Sequence, residues 1–401
     1  MEQKMGELGG QTPRGNRLHI GFFGRTNSGK STLINMLAGQ DISIVSEQSG
    51  TTTDPVYKSM ELLPLGPVLL VDTAGLDDDS PLGAQRIKKT MEEIGKMDVA
   101  ILVISSRQND LELEQGYLQL FGEKNTPVVA VLNKFESGHN RLEKQISALN
   151  IPWIKLNGAD QSQASLLKKL IIQHADFNFE DPSLTGGLVK KGDLVVLVMP
   201  QDIQAPKGRL ILPQVQVIRD LLDQGCRVIS VKTDDLPDIL KDLRCAPDLV
   251  ITDSQVFAKV NEMLPKEIPL TSFSVLFSKN KGDVSAFIEG AKAIDQLHPG
   301  DKVLIMESCT HHALEGDIAR QKLPAMLEKY VGGAVGFDVF SGPGFPENIL
   351  DYKLVLQCGG CMINRKNMLT KLSDAQRYGV PITNFGIAIA FMNHMLERIV
   401  F

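Results

Sequence analysis

The chain has 401 residues, 43% hydrophobic and 22% charged, with a formal net charge of −6. That length supports two or three domains with cores of their own. The mildly acidic balance argues against nucleic acid or an anionic membrane as a partner. Residues 1–17 are polar and carry no apolar h-region, so no secretory signal is expected, and no apolar run reaches the roughly 18 residues of a spanning helix. Five cysteines, odd in number and unevenly placed, fit a reducing compartment better than a disulfide framework. The expectation is a soluble, cytoplasmic protein.

Leu18-His19-Ile20-Gly21-Phe22-Phe23 reads as a strand, and a helix is predicted from Leu33 through Leu37. Between them stands Gly24-Arg25-Thr26-Asn27-Ser28-Gly29-Lys30-Ser31-Thr32, a GxxxxGKS sequence in the strand–loop–helix setting that a phosphate loop requires. Its glycines let backbone N–H groups wrap phosphates, Lys30 reaches the β/γ oxygens, and the Ser31 hydroxyl suits Mg²⁺. A second buried strand, Val68–Val71, ends in Asp72-Thr73-Ala74-Gly75. There Asp72 would hold the Mg²⁺ water shell and the Gly75 amide would sense a γ-phosphate. In Gly50-Thr51-Thr52-Thr53-Asp54, Thr52 is the residue expected to complete the magnesium shell.

A third strand, Val128–Leu132, runs into Asn133-Lys134-Phe135-Glu136. This is the guanine-reading NKxD pattern with glutamate for aspartate. Its carboxylate would accept guanine N1–H and N2–H, which adenine does not offer. Ile154–Ala159 occupies the place of a last base-contacting loop. These elements resemble the TrmE–Era–EngA group of small GTPases across residues 1–175. The resemblance implies binding of GTP and Mg²⁺ and its slow hydrolysis. Leu76 stands where Ras-like enzymes carry a water-orienting glutamine. Asn27 matches the asparagine that holds K⁺ in potassium-dependent members, which implies hydrolysis assisted by K⁺.

His174–Gly187 reads as a linker. Beyond it, strands at 194–199, 227–231 and 249–252 alternate with helices at 213–222, 236–243 and 254–264, the pattern of a small parallel sheet. This segment, 186–265, carries no visible chemistry and is expected to mediate homodimerisation. Cys226 and Cys245 read as small buried hydrophobes.

The last segment, 266–401, opens with an apolar stretch of β character at 269–277 and a helix at 283–297. A strand at 302–307 carries Ser308-Cys309-Thr310-His311-His312 at its end. Another strand follows at 334–340, and one at 352–356 carries Gln357-Cys358-Gly359-Gly360-Cys361. Both cysteine groups thus fall on the loop face where α/β sheets build sites. Cys309, Cys358 and Cys361 suit three irons of a [4Fe–4S] cluster, a Cys₃His zinc site with His311 or His312, or a redox pair at Cys358/Cys361 beside an unrelated Cys309. Inert buried thiols are the fourth possibility. On the zinc or redox reading the protein would be a regulatory GTPase. The apolar segment 385–400 is predicted to pack as a buried helix.

Taken together, the GTPase-like first third, the middle α/β unit and the Cys309-x-His311…Cys358-x-x-Cys361 pattern resemble the family of [FeFe]-hydrogenase maturation GTPases over essentially the whole chain. The resemblance implies a P-loop GTPase domain with a parallel sheet followed by two smaller α/β domains. It also implies a [4Fe–4S] cluster on the three thiolates, with a fourth ligand from His311, another residue or an exogenous group. The expected cargo is a diiron precursor supplied with the help of radical-SAM maturases and delivered to the hydrogenase apoprotein. Many members carry histidine where this chain has Gln357; a glutamine amide there would hydrogen-bond a cluster ligand or a water.

Overall fold

The computed structural model describes residues 12–39, 45–46, 55–78, 80–133, 140–174, 183–200, 210–308, 318–342 and 344–401. Packing divides the chain into two units, Met1–Phe179 and Glu180–Phe401.

The first unit is a seven-stranded sheet built from β1 (Leu18–Phe23), β2 (Val45–Ser46), β3 (Val56–Leu62), β4 (Gly66–Asp72), β5 (Val99–Ser105), β6 (Val128–Asn133) and β7 (Trp153–Leu156). The strand order is β2-β3-β4-β1-β5-β6-β7. Strands β4, β1, β5, β6 and β7 run parallel, and β2 and β3 form an antiparallel edge. Helices α1 (Lys30–Ala38), α2 (Gly83–Ile94), α3 (Glu112–Glu123), α4 (Asn140–Ser147) and α5 (Ala164–His174) complete it.

Side chains alternate between two cores, as the two-residue period of a strand requires. Ile20, Phe22, Val68 and Leu70 pack with Leu33 and Leu37 of α1 and with Leu167 and Ile171 of α5. Phe23, Leu69 and Val71 pack on the opposite face with Ile94, Phe121 and Leu142. All seven residues of β5 are buried, which accounts for its unbroken apolar sequence.

The second unit holds two fully parallel four-stranded sheets. One is ordered β11-β10-β8-β9 from β8 (Leu194–Val198), β9 (Arg227–Val231), β10 (Leu249–Thr252) and β11 (Leu270–Ser272). The other is ordered β13-β12-β14-β15 from β12 (Lys302–Met306), β13 (Gly336–Phe340), β14 (Leu354–Gln357) and β15 (Ile382–Asn384). The helices are α6 (Leu212–Asp223), α7 (Leu236–Asp242), α8 (Phe257–Met263), α9 (Phe273–Lys281), α10 (Val284–Ala291), α11 (Leu323–Val331), α12 (Arg365–Tyr378) and α13 (Phe385–Met392).

One hydrophobic core runs through both sheets, joining Val196, Val250 and Phe257 to Phe287, Leu304, Leu356 and Ile387. The last residues add to it: Val400 N–H donates to Leu270 O at 3.0 Å, on the edge strand of the first of these sheets. Helix α13 is apolar and largely buried, with Ile387, Ala388, Ile389, Ala390 and Met392 in the core. Among the described residues no helix is long and apolar enough to cross a membrane.

Three local expectations change. The stretch 269–277 is not one extended segment: β11 stops at Ser272, whose hydroxyl accepts from Val275 N–H and starts α9. A capping hydroxyl overrides the β-branched and aromatic propensity of the residues that follow. Because β11 pairs with β10, the sheet begun at residue 194 extends past residue 265, where sequence patterning ends the middle segment. Cys226 is buried but Cys245 is exposed, because it lies in the turn between α7 and β10 rather than on either element.

Candidate functional site

The first constellation gathers at the C-terminal ends of β1, β4 and β6. Lys30 is buried, and its ammonium donates to the carbonyls of Gly24 (3.0 Å) and Arg25 (2.9 Å). Burial pushes its pKa down, opposed by the negative charge of Asp72. The Ser31 hydroxyl donates to Asp72 Oδ2 at 2.5 Å, and burial raises the Asp72 pKa against that hydrogen bond. A hydroxyl and a carboxylate that converge this closely are a natural donor set for a hard divalent cation. Ser28 Oγ is buried without a hydrogen-bond partner among the described residues. Asn27 is exposed at the loop tip with φ 58°, and Thr32 is exposed on the first turn of α1.

The Asp72–Gly75 segment packs directly on this loop. A Cβ on Gly75 would lie 2.1 Å from Thr26 Oγ1 and 2.7 Å from Thr26 N, so only glycine fits. Leu76 N–H donates to Gly24 O at 3.1 Å, while the Leu76 side chain is 3% exposed in the core. A buried aliphatic side chain cannot orient a water molecule, in agreement with its sequence reading. Two contacts here are not legible as motifs. Asp77 Oδ1 accepts from Thr26 N–H at 2.5 Å. Arg25 is held by Glu114 (3.0 Å) and Asp110 (2.6 Å), which raise its pKa.

Asn133 ties two loops together. Its Nδ2 donates to Ser28 O and its Oδ1 accepts from Gly158 N–H, each at 3.0 Å, and its side chain is fully enclosed. The loop at 157–159 is therefore fastened to the phosphate loop through one side chain. Thr52, Lys134 and Glu136 lie outside the described residues.

The second constellation follows β12 and β14. Cys358 and Cys361 are half-buried free thiols. Two donors point at Cys358 Sγ: Ser308 N–H at 3.1 Å and Gln357 Nε2 at 3.4 Å. Gln357 is fully buried, and its amide also donates to Ser308 Oγ at 3.0 Å. Its Oε1 is buried without a partner among the described residues. Gly360 has φ 64°, and a Cβ there would come within 2.5 Å of Met368 Cε, so the turn between the thiols needs glycine. Burial raises the Cys361 pKa, with a further push from Cys358 and a pull downward from Lys281. Sulfur that already accepts N–H hydrogen bonds suits a metal-bound thiolate, whose sulfur takes the same kind of donor. Cys309, His311 and His312 lie outside the described residues.

A cavity of about 190 Å³ adjoins Cys361 and Gly359. Phe273, Phe277, Phe385 and Ile389 form its apolar wall, and Ser254 and Ser274 contribute hydroxyls. Those two hydroxyls hydrogen-bond to each other, and each lies 3.2 Å from Ser272 Oγ. No local pattern marks this pocket, since its lining comes from α6, α9 and α13 and from loops that are distant in sequence.

Asn133→Ala should leave the Ser28 carbonyl and the Gly158 amide unpaired, at about 1–3 kcal/mol for each buried group. Guanine-nucleotide affinity, measured by titration calorimetry, is expected to fall at least about tenfold, the equivalent of ~1.4 kcal/mol. Unchanged affinity would mean that Asn133 does not organise the loop.

Comparison with known proteins places this chain in a family. Residues 19–134 match the 50S ribosome-binding GTPase family, residues 184–282 the hydrogen maturase F dimerization domain, and residues 285–401 the hydrogen maturase F tetramerization domain. Among individual relatives, the tRNA modification GTPase MnmE of Nitrosomonas europaea is 35% identical over 164 residues, 39% of this chain and 36% of that protein. The GTPase Der of Helicobacter hepaticus is 34% identical over 130 residues, 32% of this chain and 26% of that protein. The chain thus spans about a third or less of the curated relatives it matches. Solved structures similar to it include the G domain of the T. maritima FeoB iron transporter (TM-score 0.31, 21% identity, 40% of this chain and 99% of that one). Another is Aquifex aeolicus Era bound to GDP and AlF4− (TM-score 0.33, 18% identity, 57% of this chain and 98% of that one). The dimerization and tetramerization matches fall one behind the other and cover more than half the chain, downstream of the GTPase domain. Both describe hydrogen maturase F, and the chain belongs to the hydrogen maturase F family.

Proposed function

We propose that this protein is a GTP-hydrolysing, cytoplasmic scaffold that carries a diiron precursor and delivers it to the [FeFe]-hydrogenase apoprotein. The observation that carries the reading is the pair of donors on Cys358 Sγ, in a turn placed beside a cavity, within a chain of the hydrogen maturase F family.

Cys309, Cys358 and Cys361 would hold a [4Fe–4S] cluster, with the Ser308 and Gln357 N–H groups directed at sulfur. Such a cluster supplies an iron whose fourth position accepts an exogenous ligand. The protein's own part is to fix the thiolates, to limit water with Phe273, Phe277 and Phe385, and to offer hydroxyl donors from Ser254 and Ser274. The diiron precursor, with small diatomic ligands, is the cargo. Radical-SAM maturases would supply it or its parts.

In the first unit, Gly24, Ser28, Gly29, Lys30, Ser31 and Thr32 would cradle the phosphates of GTP, and Ser31, Asp72 and Thr52 would serve Mg²⁺. The Lys30 ammonium, now on Gly24 O and Arg25 O, would turn onto phosphate oxygens. Asn133, Lys134 and Glu136 would read guanine. Gly75, packed on Thr26, would transmit the presence of a γ-phosphate to the following loop. With Leu76 buried, Asn27 and a bound K⁺ would supply the charge stabilisation that Ras-like enzymes obtain otherwise. The dimerization and tetramerization matches support an oligomer larger than the homodimer that the sequence alone suggests.

The three cysteines are tested one at a time. Cys309→Ser, Cys358→Ser and Cys361→Ser should each abolish activation of hydrogenase apoprotein and leave GTP hydrolysis intact. Activation surviving in all three would remove the cluster from the mechanism. The GTPase reading is checked separately: exchanging K⁺ for Na⁺ should lower GTP turnover several-fold, and equal rates in the two salts would remove K⁺ from it.

A further inference from the structure

Lys281 is the last residue of α9, and its side chain is 3% exposed. Lysine is almost never this buried unless its charge is answered. Its ammonium donates to three backbone carbonyls of the cysteine turn: Gly360 at 3.3 Å, Cys361 at 3.1 Å and Ile363 at 2.8 Å. The three N–H donors of an ammonium group therefore have acceptors on one loop about eighty residues away in sequence. The ammonium also lies 5.7 Å from the centre of the Phe277 ring, a wall of the cavity beside Cys361.

The tie is returned from the other side. Arg365, the first residue of α12, donates from Nη1 to Asn280 O at 2.5 Å and to Gly282 O at 3.4 Å. Helix α9 thus fixes the cysteine turn through Lys281, while the helix that follows the turn fixes the end of α9 through Arg365. A neutral hydrogen-bonding residue would also hold the loop. Lysine adds a positive charge in a place where desolvation makes electrostatics strong.

We infer that Lys281 is a positioning residue and buried counter-charge for the cysteine turn: it draws the 360–363 carbonyls onto one cation and sets a positive potential beside the thiolates. The inference rests on the proposed iron–sulfur reading of Cys309, Cys358 and Cys361. A group bound to thiolates becomes more negative on reduction, so a fixed cation nearby stabilises its reduced form and raises its reduction potential.

The test uses full-length wild type, Lys281→Gln, which keeps N–H donors but drops the charge, and Lys281→Arg, which keeps the charge. Each is reconstituted anaerobically with iron and sulfide, analysed for both, and titrated by electron paramagnetic resonance for its midpoint potential. The expected result is iron uptake by Lys281→Gln with the reduced state destabilised about tenfold, a midpoint ~59 mV more negative for one electron, and a return toward wild type in Lys281→Arg. Loss of iron from Lys281→Gln with retention in Lys281→Arg also meets the inference, since charge then decides uptake. Equal midpoints in wild type and Lys281→Gln would overturn it. So would loss of iron from both variants, which makes Lys281 a packing residue only. If wild type itself takes up no iron, it is the cluster reading that fails.

Discussion

Parallel strands covered on both faces impose the constraint on which every site in this protein depends. Within such a strand all backbone N–H and C=O groups are spent on the ladder, and both faces are filled by core side chains. Polar chemistry can enter only where the ladder stops, and in parallel sheets the strands stop together at one edge. The phosphate loop leaves β1, the Asp72–Gly75 segment leaves β4, and Asn133 ends β6. In the second unit Ser308 follows β12, Gln357 ends β14, and the cysteine turn comes next. Each constellation is assembled from strands of one sheet that are distant in sequence.

At that edge, a small number of buried polar side chains hold the loops. Asn133 joins Ser28 to Gly158. Gln357 joins Ser308 to Cys358, and Lys281 gathers the carbonyls of residues 360–363. All three are nearly or fully buried, where a hydrogen bond is strong and an unmade one is costly. Loops fastened this way present fixed groups to a ligand instead of ordering themselves around it. The hydroxyl cluster of Ser254, Ser272 and Ser274 belongs to the same design, because it lies past β10 and β11 and borders the cavity beside Cys361.

What was legible in the sequence follows from the range of the interactions. The phosphate loop has a fixed length and a local geometry, so its spacing alone places Gly24 to Thr32 between a strand and a helix. The alternation of strands and helices gives the parallel sheets, and the two glycines after Cys358 announce a turn. The stretch at 269–277 is less legible, since its β-branched and aromatic residues favour a strand and one serine cap at 272 starts a helix against that preference. Lys281 was invisible: nothing local marks a lysine whose partners lie at Gly360, Cys361 and Ile363. The role of Gln357 was half legible. Its place before Cys358 is local, but its hold on Ser308 depends on the pairing of β12 with β14.

If Cys309, Cys358 and Cys361 form the proposed incomplete cage for an iron–sulfur cluster, anaerobic reconstitution with iron and sulfide, followed by metal analysis and an absorption spectrum, will yield a brown protein with iron and sulfide in equal amounts. Both will be lost when any of the three cysteines is replaced. A colourless protein that retains zinc, or one that holds no metal and cycles Cys358 and Cys361 between dithiol and disulfide, would contradict the proposed cage.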